Sequence, residues 1–71
     1  MEKANEMALK RIDRLKNKLN LMLLQISEIE DCLDRHQFAY AITHSDALNI
    51  VGQSIDNETK LINGYLKILE R

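Results

Sequence analysis

Proline and tryptophan are absent from this 71-residue chain, glycine occurs twice, cysteine once, and the only aromatic residues are Phe38, Tyr40 and Tyr65. Without proline the chain lacks its strongest helix breaker, and with so little glycine it has few positions where the backbone turns freely. A lone cysteine, Cys32, excludes an internal disulfide. Cys32, His36 and His44 offer fewer ligands than a structural zinc site takes, so no metal is expected. Unbroken apolar runs, such as Leu21 to Leu24, fall far short of the roughly 18 residues of a membrane span. The opening "MEKANEMALKRIDR" carries charges where a signal peptide needs an apolar core. A reduced, cytoplasmic setting without membrane insertion is therefore expected, and "NET" at Asn57 reads as a chance sequon. No catalytic or cofactor motif occurs, so neither enzyme activity nor a cofactor is expected.

What the chain does contain is leucine, isoleucine, alanine, lysine, glutamate and asparagine in helical periods. Ile12, Leu19, Ile26 and Leu33 recur every seven residues, interleaved with Ala8, Leu15, Met22 and Ile29. That pattern is an a/d heptad over residues 5 to 33. In the second half Ala41, Leu48, Ile55, Ile62 and Leu69 keep the same period. Ala47, Leu61 and Ile68 widen that stripe on one side, and Val51, Tyr65 and Leu66 on the other, as in a helix packed in a bundle.

The fold class that follows is all-α: one antiparallel two-helix hairpin over residues 1–71, coiled-coil-like, assembling into a four-helix bundle or packing on a helical partner. The first helix is expected over about 4–34 and the second over about 38–69. A tight turn at about 35–37 is favoured because Phe38, Tyr40 and Ala41 continue the apolar pattern. A looser connection reaching residue 45, with Thr43 or Ser45 as a cap, is the alternative. A local break near "GQSIDN" is also allowed, Gly52, Ser54 and Asp56 being poor mid-helix residues.

In the tight hairpin, facing residues sum to about 72, which sets "LNLMLL" (19–24) beside "LNIVGQ" (48–53), with Gly52 permitting close approach. Leu19 and Met22 then close the hairpin. Leu21, Leu23 and Leu24 are surplus, since successive helical residues point about 100° apart.

The charges are segregated along the first helix. Lys10, Arg11, Arg14, Lys16 and Lys18 crowd its first half, and Glu28, Glu30, Asp31 and Asp34 its end, the reverse of what the helix dipole favours. An antiparallel second copy, facing residues summing to about 44, would bring each block onto its opposite and centre the contact on Met22. The candidate interaction residues are therefore Leu21, Met22, Leu23 and Leu24, framed by Arg14 and Lys18 on one side and Glu28 and Asp31 on the other. The partners expected are the chain itself, a helical protein, or both. Nucleic acid is not expected, because the chain is net negative and has few aromatic residues to stack on bases.

Glu58 falls on an interior-leaning position of the second helix, opposite Arg11 and Arg14, and reads as an ion pair that fixes the hairpin register. Cys32 reads as a small buried residue, and "THSDA" (43–47) as a capping or turn segment.

Three known architectures resemble parts of this pattern. "SIDNETKLINGYL" is similar to the signature of small helical-hairpin phosphatases of sporulation response regulators, Ser-Gln-x-Leu-Asp followed by spaced Ile and Tyr. Aligned on Ile62 and Tyr65, Thr59 stands where that family has its aspartate. Aligned on Ser54, Glu58 takes that place but Leu61 and Gly64 replace Ile and Tyr, so the activity is not carried over. The size and apolar excess resemble the co-chaperones of type III secretion and flagellar export, which implies holding a helical subunit. The dimer of hairpins is similar to a plasmid copy-number regulator, which implies RNA binding.

Overall fold

The computed structural model describes residues 2–70 and consists of two helices, α1 (Glu2–Asp34) and α2 (Phe38–Glu70), packed antiparallel as a hairpin. Met1 and Arg71, the ends of the expected 1–71 unit, lie outside the described residues. A helix of 33 residues is about 50 Å long. The hairpin accordingly measures 53 × 14 × 12 Å.

The turn occupies residues 35–37, the tighter of the two expected connections. It closes α1 with two backbone bonds: Gln37 N–H donates to Cys32 O at 2.8 Å and His36 N–H to Leu33 O at 3.1 Å. Together these form a Schellman cap, which requires a left-handed residue after the helix. His36 fills that role with φ 58°, a conformation glycine adopts at far lower cost. Gln37 O accepts from Ala41 N–H at 3.0 Å, so Gln37 is the N-cap of α2. Thr43 and Ser45 lie inside α2, where Thr43 Oγ1 donates to Ala39 O at 3.3 Å. Nor is there a break at "GQSIDN": α2 runs through Gly52, Ser54 and Asp56 without interruption.

On α2 the expected stripe faces inward, with Ala41, Leu48, Ile55, Ile62 and Leu69 all half-buried, joined by His44, Val51, Glu58 and Tyr65. The seam of α1 differs from expectation. Ala8, Leu15, Met22 and Ile29 do turn toward α2, but their companions are Ala4, Arg11, Lys18, Gln25 and Cys32. Leu19, Ile26 and Leu33 are exposed and Ile12 is half-buried, so this set stands on the flank and does not close the hairpin. The apolar arc of α1 is wider than one partner helix can cover, and α2 takes the edge where bases can reach Glu58.

Very little of the hairpin is core. Among the described residues only Ala8 and Cys32 are buried apolar side chains, and no large side chain is fully enclosed. The chain exposes 5538 Å². A compact monomer of 8.3 kDa would expose about 4,600 Å². The radius of gyration, 16.2 Å, likewise exceeds the roughly 11 Å of a compact 71-residue domain.

Candidate functional site

The best-formed polar feature sits within the seam. Glu58 is 3% exposed, and its Oε1 accepts from Lys18 Nζ at 3.0 Å and Arg11 Nη1 at 3.3 Å, with Arg14 Nε at 3.5 Å. Arg11, Arg14 and Lys18 follow one another at i, i+3 and i+7, which brings all three to one side of α1. Lys18 contributes most: its hydrogen bond, then its charge and those of Arg11 and Arg14, hold the Glu58 carboxyl below its ordinary value of 4.5 against the opposing effect of burial. Glu58 Oε2 is buried with no hydrogen-bond partner among the described residues. Beyond Arg11 and Arg14, the partners expected from the sequence, Lys18 joins Glu58 from one turn further along the same side of α1. The stems of Arg11 and Lys18 supply apolar contact where the heptad lacks a leucine, with their side chains 25% and 21% exposed.

A second polar layer lies nearer the turn. His44 Nδ1 lies 2.7 Å from Gln25 Oε1, a hydrogen bond that joins the two helices. The Met22 methyl lies between the layers, 3.6 Å from the point a Cβ on Gly52 would occupy. These cross-helix pairs follow the expected antiparallel relation and fix which residue meets which.

The hairpin has two long flanks. On one, α1 shows Ile12, Leu19, Leu23, Ile26 and Leu33 beside a shallow groove whose lining includes Met22, Ser45, Leu48 and Gly52. The other carries Leu21 and Leu24 of α1, and Glu28 and Asp31 share a groove there with Cys32, Tyr40 and His44. The four candidate residues of "LNLMLL" are thus divided: Met22 in the seam, Leu23 on the first flank, Leu21 and Leu24 on the second. All three leucines are exposed, Leu23 most at 63%. Of the framing charges, Lys18 is committed to Glu58, Arg14 touches it from an exposed position, Glu28 is half-buried and Asp31 exposed.

Among the described residues no group of three His, Cys, Asp or Glu side chains could hold a metal ion. No helix among them is long and apolar enough to cross a membrane. No protein-family model, no curated protein and no solved structure matches this chain.

Proposed function

We propose that this chain is a non-enzymatic interaction module, a small adaptor, chaperone or regulator that works by packing its apolar helix faces on other helices, first of all those of a second copy. The observation that carries this reading is the missing core. Leu9, Leu19, Leu21, Leu23, Leu24, Ile26 and Leu33 are all exposed on α1 alone. The surface in excess of a compact monomer is about 900 Å², close to the roughly 800 Å² that each partner buries in a stable complex of standard size. A cytoplasmic setting fits the single thiol, Cys32.

The charges favour protein over nucleic acid as the partner. Three of the five bases in the block at residues 10–18 are turned onto Glu58, which leaves few to meet phosphate.

Two apolar flanks support a second reading within the same class. A self-associating face on one flank leaves Leu21 and Leu24 on the other, where a helical subunit could be held as the export co-chaperones hold theirs. Thermal unfolding followed by circular dichroism over a hundredfold range of chain concentration tests association. A midpoint that rises with concentration is expected, because binding between folded copies stabilises them by mass action. A constant midpoint would rule self-association out.

A further inference from the structure

Resting on the self-association reading, we propose that a second copy docks antiparallel along the α1 face of Ile12, Leu19, Leu23, Ile26 and Leu33, with the twofold axis beside Met22 and Leu23 and Lys16 of each copy against Glu30 of the other. The heptad repeat that the hairpin leaves unused defines this face. Ile12, Leu19, Ile26 and Leu33 take its a positions; Leu15, Met22 and Ile29, shared with the hairpin seam, take d. They continue over about three heptads of straight helix.

Charge selects the occupant and its direction. Beside an a/d seam, the flanking position away from α2 is occupied in successive heptads by Leu9, Lys16, Leu23 and Glu30. In an antiparallel pair these flanking residues meet their own kind across the axis, so Leu23 packs on Leu23 of the second copy and each Lys16 meets a Glu30. The same alignment layers Leu19 on Ile29 and Ile26 on Met22 of the other copy, each apolar on apolar. A parallel pair would instead bring the basic halves of both α1 helices together and likewise the acidic ends. Lys10, Arg14, Asp31 and Asp34 sit further round α1, outside this contact.

Sedimentation equilibrium on the full chain, with charge reversal and its compensation, tests the inference. Lys16→Glu and Glu30→Lys each create two like-charge contacts by symmetry and are expected to raise the dimer Kd about tenfold, while the double variant returns it close to the original. Leu23→Lys is expected to raise Kd by about a hundredfold or more, since it brings two charges together at the axis. Leu21→Lys with Leu24→Lys should leave the dimer intact. A double charge variant no tighter than the single ones, or a dimer lost with Leu21 and Leu24 but kept with Leu23→Lys, would overturn this face and register while self-association stood. An original chain that stays monomeric at every concentration would overturn both.

Discussion

Lys18 Nζ lies 3.0 Å from Glu58 Oε1, across a seam in which Glu58 is otherwise enclosed. This contact makes the hairpin sensitive to acid. The Glu58 carboxyl has its folded pKa depressed below 4.5, first by the Lys18 hydrogen bond. A depressed carboxylate contributes stability that is fully present above its unfolded pKa and is lost as pH falls through the folded value. The midpoint of thermal unfolding should therefore decline below about pH 4.5, and the decline should be shallower in Glu58→Gln. At neutral pH that variant should be less stable than the parent, because Arg11 and Lys18 lose their counter-charge inside the seam. Lys18→Ala should cost more than Arg14→Ala, since Arg14 makes the longer contact from a side chain that is 60% exposed.

His36→Gly should stabilise the hairpin. The left-handed backbone at φ 58° costs a non-glycine residue roughly 1–2 kcal/mol. Its ring stacks on Phe38 at 5.9 Å and its Nδ1 lies 3.3 Å from Leu33 O, but both contacts are exposed, so what the substitution removes is weak. A net gain of about 0.5–1 kcal/mol is expected in urea unfolding at fixed chain concentration. No gain, or a loss, would mean that the stack outweighs the strain.

Gly64→Ala should raise stability by about 1 kcal/mol, because nothing lies within 4 Å of the added methyl and the helix is continuous there. Gly52→Ala should gain a similar or slightly smaller amount, since its methyl would meet the Met22 side chain at 3.6 Å, an ordinary contact distance. Chemical denaturation of both variants checks this pair. A loss at Gly52 alone would mark that position as the site of a closer approach by another chain.

Much of this architecture is legible in the residues. Heptad spacing identifies both helices, the apolar pattern resuming at Phe38, Tyr40 and Ala41 favours a turn at about 35–37, and Glu58 stands out as an acid on an apolar stripe. Which edge of the α1 stripe meets α2 was not legible. Ile12, Leu19, Ile26 and Leu33 make the better apolar seam by count, yet α2 packs beside Arg11, Lys18 and Gln25, whose polar ends answer Glu58 and His44. Apolar counting misses this choice because it ignores the cost of leaving a buried carboxylate unpaired. Continuity of α2 through "GQSIDN" was hidden for a related reason. Local propensity disfavours those residues, but Gly52 lies against Met22 and Asp56 is held by Lys60 one turn on, at 2.9 Å. The surplus leucines were recognisable as surplus. Their division between opposite flanks emerges only once the seam is fixed, because a shift of one edge reassigns every neighbouring position.

The claim on which the rest depends is that the exposed apolar faces are covered by association. Sedimentation equilibrium of the unmodified chain from low to high micromolar concentration tests it most directly. A mass rising to twice the 8.3 kDa of one chain is expected. A constant mass of 8.3 kDa across that range would contradict it.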